Sequence, residues 1–502
     1  MPMMSCSAFA NELPADPASA IPWLTESLQA PLQPNAETTS STSTDIETIS
    51  VQTLSDNDRD GLGVLSSDVT GFPADLWGAQ SAAKVLRLIK QTPYGGVPAV
   101  RDLFRQVLLA ETSPPADISE PDSLFLARVD RLLEIGALSE AQALIALSGP
   151  NTSELFRRWF DIGLLTNNAD QVCSELDASP MLSPARSVQV FCLALGRDWS
   201  AAATSLALGE DLGQITEDEA DLLSFYLDEA LLEEMEPPPV GKPLTSLEFV
   251  IRESVGLPRP TTRLPIAFMH AELADYVPQR FRIEAGEVLV REGLLPPSVL
   301  FAAYREEEPA ASGGVWRRPE TTQAMDEAAT ADEISDALRN LDHEFMRADL
   351  RMPAAKEFLL YLSELPADQF DDATRSRVAL YLILAGASEL AMSWITDAAP
   401  PDLGTALSIA QARFEGATPI ERVLSTTIPE AQLSDYQAGL VARGEVGVAI
   451  MAAIDLLARN KTSDEDDLLN ALALLRAVGQ EQAARKIAVQ TLLIPLRIVD
   501  AN

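Results

Sequence analysis

The side chains that could do covalent, proton-transfer or metal chemistry are few: three cysteines, two histidines and a large surplus of carboxylates. Cys173 and Cys192 sit in helical patterns, one in the second helix of an expected hairpin and one in the first helix of the next. A disulfide between them would staple adjacent hairpins, closing a loop of about 20 residues at ~3 kcal/mol. Two buried free thiols acting as small apolar fillers are the other reading. His270, in Ala267-Phe268-Met269-His270-Ala271, reads as a helix-face or core histidine, since no serine or cysteine suggests itself as its partner. His343 lies in Asp342-His343-Glu344, where successive residues point around a helix and cannot converge. Neither histidine has a second His or Cys at metal-ligand spacing, so no metal is expected. Asp56-Asn57-Asp58-Arg59-Asp60-Gly61 imitates the opening of a calcium loop, but the twelfth position is Ser67, where a bidentate Glu is needed. It reads as an acidic turn. The runs Glu233-Glu234 and Glu306-Glu307-Glu308 read as solvated faces.

Ala311-Ser312-Gly313-Gly314-Val315-Trp316-Arg317 has two glycines but no Lys-Ser/Thr, so it is no phosphate loop. Ser312 or a glycine there would cap a helix starting near Val315. Trp316, Arg317 and Arg318 form the one basic-aromatic cluster in an acidic chain and are the candidate partner contact. No catalytic residue and no cofactor are assigned. Glu253-Ser254 resembles the opening of the catalytic motif in soluble lytic transglycosylases, which couple an α-superhelix to a lysozyme-like domain. Val255-Gly256-Leu257-Pro258 follows in place of their Gly-Leu-Met-Gln-type continuation. A cell-envelope glycan- or peptidoglycan-acting enzyme or enzyme subunit, using carboxylates only, is therefore the alternative function.

The elements that would position these groups are helices in a strongly anionic chain. Over 502 residues, 37 Lys+Arg against 75 Asp+Glu give −38. Such a surface repels phosphate backbones and anionic headgroups, which excludes nucleic acid and membrane surfaces as expected partners. No charge-free apolar stretch reaches the length of a membrane span. Residues 1–72 read as an acidic, low-complexity and largely disordered arm. Within it, Ala8-Phe9-Ala10 at the end of residues 1–10 has the small-x-small form of a signal-peptidase site. Two readings follow: a cytoplasmic start, or the remnant of an export signal. With the pairable cysteines, a periplasmic or secreted location is the expectation and a cytoplasmic one the alternative.

From Pro73 onward one spacing recurs. Leu132 and Leu133 precede Gly136, with Ala141 five residues on; Leu164 and Leu165 precede Asn168, with Cys173 in the small slot. Cys192 and Leu193 precede Gly196, with Ala201; Leu382 and Ile383 precede Gly386, with Ala391. Leu440 and Val441 precede Gly444, with Ala449, and Leu475 precedes Gly479, with Ala484. The Gly or Asn would end one helix in the left-handed conformation. The small residue would let the next helix approach, with Leu144, Leu176, Trp394 and Ile487 closing the contact. This spacing resembles the tetratricopeptide-repeat superfamily and related α-solenoids, over roughly 120–210 and 375–490.

The resemblance implies an all-α protein of stacked helical hairpins, and a non-catalytic scaffold or adaptor that binds a protein or peptide partner. The expected organisation is an N-terminal repeat block at 73–235, a Pro-rich connector at 236–265, a central helical segment at 266–350 and a C-terminal repeat block at 351–502.

Overall fold

The computed structural model describes residues 59–498, except 184, 241–242, 258–263, 310–312, 415, 417, 426–432 and 460–464. Among the described residues every regular element is a helix, and the lone β feature is an isolated parallel bridge, Leu65 to Ala110. No helix in them is long and apolar enough to cross a membrane. The chain is all-α. Most of the expected acidic arm, with residues 1–10 and Asp56–Asp58, lies outside the described residues. Residues 59–72 are packed, contrary to the expectation. Arg59 pairs with Asp122 at 2.5 Å, and the Asp60 carboxylate, itself buried, accepts from the backbone N–H of Phe125 at 2.8 Å. Asp60 thus caps the helix Ser123–Glu134, whose own N-cap residue, Asp122, makes no side-chain capping bond. The feature read as a calcium-loop opening ends in a remote helix cap.

The described residues fall into two compact units, one of residues 173–257 and one of 59–172 with 264–498. The smaller unit contains the helices Arg186–Leu195, Trp199–Asp211, Glu217–Leu227 and Ser246–Ser254. Phe191, Leu206, Leu223, Phe225, Phe249 and Ile251 form its core. The Pro-rich stretch expected to connect blocks belongs to this core's edge. Buried Arg252 donates to the carbonyls of Pro238 and Pro239 at 2.8 and 2.9 Å. Proline lacks an N–H but its carbonyl still accepts, so a guanidinium can fasten such a strip.

In the larger unit, helices pair across short turns: Ser123–Glu134 with Leu138–Ser148, Asp435–Ala442 with Val446–Arg459, and Glu465–Ala477 with Glu481–Leu493. Each turn carries the same two bonds. At the first, Gly136 N–H donates to Leu133 O and Ala137 N–H to Leu132 O, with Gly136 at φ 81. Gly386, Gly444 and Gly479 repeat it. Two expected positions move by one residue. Asn167 (φ 58) and Arg197 (φ 65) take the left-handed conformation, whereas Gly196 has φ −70 and serves as the C-cap. The close-packed residue five positions on moves too, to Val172 and Ala202, both fully buried. Val172 is larger than the alanine of the other turns. Gly163 opposite compensates, since a Cβ there would lie 2.3 Å from Val172 Cγ2.

Arginine joins these pairs. The chain has 31 Arg and six Lys, and the guanidinium's five donors suit it to collecting carbonyls at helix ends. Arg351, 1 % exposed, binds both oxygens of Asp342 and donates to the carbonyls of Leu493, Ile494 and Leu496 after Glu481–Leu493. Arg101, Arg105 and Tyr94 gather on Arg291 O, Glu292 O and Gly293 O, at the end of the helix Gln279–Arg291. Burial there raises the Tyr94 hydroxyl to about 12. Arg128 holds Leu108 O and Ala110 O at the end of Pro98–Leu109, and burial lowers its own pKa to about 10 despite nearby Asp60.

The N-terminal part of the larger unit also packs on the C-terminal part. Pro98–Leu109 lies against both Val446–Arg459 and Glu481–Leu493, and Ala99 N–H donates to Gln490 Oε1 at 2.7 Å.

Candidate functional site

An open bay of about 1110 Å³ in the larger unit is lined by Arg305, Glu306, Glu307, Glu308, Arg317, Glu320, Gln323, Asp326 and Glu327, among others. Two helices and the segment after the first carry them, Pro297–Arg305 and Arg317–Glu327, and a third helix, Ala331–Arg347, packs against the second. The first begins with Pro297, whose missing N–H costs nothing at a helix start. The third begins with a Thr330–Glu333 capping box. Hydrogen bonds from backbone N–H groups hold Glu333 below the usual carboxylate pKa. Aromatic contacts keep the framework rigid: Phe301 stacks on Phe345 at 5.6 Å and meets Phe358 edge-on at 5.7 Å.

The cations at the bay are already answered. Arg305 forks onto Asp326 at 2.7 and 3.0 Å, reaches Glu357 at 2.6 Å and lies over the rings of Phe301 and Phe358. Hydrogen bonding to Asp326, then to Glu357, raises its pKa against burial. Arg317 faces Glu344 at 3.7 Å. Glu306 is clamped by Arg282 at 2.6 and 2.9 Å. Glu307, Glu308, Glu320 and Glu327 are exposed and have no ion-pair partner among the described residues. The potential offered to a visitor is therefore negative.

The structure separates the basic-aromatic cluster. Arg317, with a side chain 60 % exposed, lines the bay. Arg318 turns inward and binds both oxygens of Glu287 at 2.5 and 2.7 Å. Tyr304, fully buried, donates to the same carboxylate at 2.9 Å, and burial raises its pKa well above 10. Burial opposes the Arg318 charge, yet its bonds to Glu287 outweigh that and raise its pKa. Trp316 is half-buried in the 3-10 turn Gly314–Trp316. Ser312 lies outside the described residues; the backbone turns at Gly313, φ 71. Sequence reasoning passed over Arg305 and Gln323. The Glu306–Glu308 run was the available signal, but it reads as solvent-facing until Arg282 and the Arg317–Glu327 helix are placed around it.

Cys173 and Cys192 are both buried and joined as a disulfide with Cα atoms 5.1 Å apart. His270 Nε2 lies 2.8 Å from Gly136 O, so that nitrogen carries the proton and pins the hairpin turn. Burial lowers the His270 pKa. Ser254 Oγ donates to Ile251 O at 2.7 Å, a bond within its own helix. A carboxylate-only glycan enzyme needs one acid kept protonated. Among the described residues, Glu333 and Glu445 have carboxyl pKa values lowered, the latter chiefly by Arg443.

No protein-family model matches the chain, and no curated protein or solved structure is significantly similar to it.

Proposed function

We propose that this chain is a non-catalytic scaffold or adaptor of stacked helical hairpins that holds a cationic segment of another protein in its acidic bay. One observation carries the reading: Arg305 and Arg317 are each paired with carboxylates of the chain, while Glu307, Glu308, Glu320 and Glu327 face solvent unopposed. A basic segment gains attraction there, and an anionic one is repelled. The hairpin pattern supports a binding platform, because an α-hairpin exposes whatever face the next hairpin does not cover. The Cys173–Cys192 disulfide supports an oxidising compartment, hence a periplasmic or secreted setting.

The test is binding of a labelled 14-residue peptide of alternating Arg and Ser, read by fluorescence anisotropy at 50 and 300 mM salt. The quadruple variant Glu307→Gln, Glu308→Gln, Glu320→Gln, Glu327→Gln should lose about tenfold in affinity at low salt. Each exposed pair contributes a few tenths of a kcal/mol, and four such terms reach that factor. Equal affinity for the variant and the unmodified chain would overturn the proposal.

A further inference from the structure

Next to the bay lies a second concavity, of about 360 Å³, with a different lining: Leu359, Leu360, Ala387 and Leu390, with Lys356 and Ser363 at its edge. Leu360 is 73 % exposed and Leu390 48 %. Both belong to short elements, the helices Leu359–Ser363 and Ser388–Ala391, each packed against Asp372–Leu384. Buried Leu362 and Ala391 anchor those helices and turn the neighbouring leucines outward. Two large aliphatic side chains standing together in water on so anionic a chain are costly unless something covers them.

The bay and the groove share a boundary. Arg305 lines the bay, Glu357 lines the groove, and the two meet at 2.6 Å. A ligand lying over that ion pair would touch exposed glutamates on one side and exposed leucines on the other. A second copy of this chain suits the groove poorly, since each copy carries −38. Anionic lipid suits it poorly for the same reason.

We infer that the groove of Leu359, Leu360, Ala387 and Leu390 is a docking site for an amphipathic segment of a partner protein. Two aliphatic side chains of that segment enter the groove, and its adjoining basic residues lie in the bay. The inference rests on the adaptor reading and adds a partner chemistry to it.

A displayed library of random 16-residue peptides, selected on the full chain, tests it. The peptides that enrich should carry net positive charge and a pair of aliphatic residues. Leu360→Ser and Leu390→Ser should each weaken those peptides by about tenfold while the melting temperature stays unchanged, since both side chains are exposed. Replacing the aliphatic pair in the peptide by serine should cost as much on the unmodified chain, an arm that needs no variant. Equal binding to the unmodified chain and the leucine variants, or indifference to the serine replacement, overturns the groove and leaves the bay reading standing. Enrichment of acidic peptides, or of none, overturns both.

Discussion

The two compact units hold themselves together by different chemistry. Residues 173–257 include one buried charged side chain among those described, Arg252, and one disulfide. The larger unit buries Arg101, Arg128, Arg131, Arg157, Arg158, Arg351 and Arg377, with acids such as Asp60, Asp161, Glu287 and Asp342. Size accounts for the contrast. A unit under a hundred residues has a high surface-to-volume ratio and a thin core, so a covalent staple matters most there. A larger body can surround a guanidinium on all sides with carbonyls and carboxylates, which is what a buried charge requires. An acidic chain thereby keeps part of its scarce positive charge inside, nearly matched by buried acids, so its surface keeps the negative sign of its composition.

The largest expected effect comes from breaking the larger unit's device. Arg351→Ala should destabilise that unit by about 3–5 kcal/mol, because Asp342 and three helix-end carbonyls lose a buried partner. Thermal melting should show the loss, and hydrogen exchange should leave the core amides of 186–227 unaffected. If those amides exchange faster as well, the units do not differ in the way described.

Removing the staple is next. Cys192→Ala should cost about 3 kcal/mol, read as faster exchange in 186–211 with the larger unit unchanged. Reductant should shift the unmodified chain and leave the variant where it is.

Acid titration sharpens the contrast less strongly. His270 has a lowered pKa in the fold, so its contribution is complete above the unfolded value near 6.5 and is lost as pH falls through the folded value. Chemical denaturation between pH 7 and 5 should fall more steeply for the unmodified chain than for His270→Asn, within the larger unit alone. The smallest effect is a gain. Arg197→Gly should stabilise the smaller unit by about 0.5–1 kcal/mol, since φ 65 strains any side chain at that turn. A melting temperature unchanged or lowered would show that the Arg197 side chain holds something there.

The helical hairpins were readable because a left-handed turn and a small residue five positions later are local requirements. Gly136, Gly386, Gly444 and Gly479 stand where the pattern put them. It slipped by one at Asn167 and Arg197, where a neighbouring Asn or Gly looked like the better turn residue. Asn tolerates φ > 0, and at 197 the helix end forces it on an arginine. Arg318 was the harder case. Its adjacency to Trp316 and Arg317 suggested one cluster, but a helix sends successive side chains in different directions, so Arg317 faces the bay and Arg318 faces Glu287. The bay itself was hidden, because Arg305 meets Glu357 across 52 residues and no local spacing encodes that pairing.

By itself, then, the sequence determined the all-helical class, the turn positions to within a residue and the sign of the surface, since periodicity, backbone sterics and charge counts act over a few residues or none. Tertiary structure alone decided which arginines go inside, which glutamates are left unanswered and which leucines stay wet. Those outcomes depend on what another part of the chain brings within a few ångströms, and desolvation makes that proximity decisive.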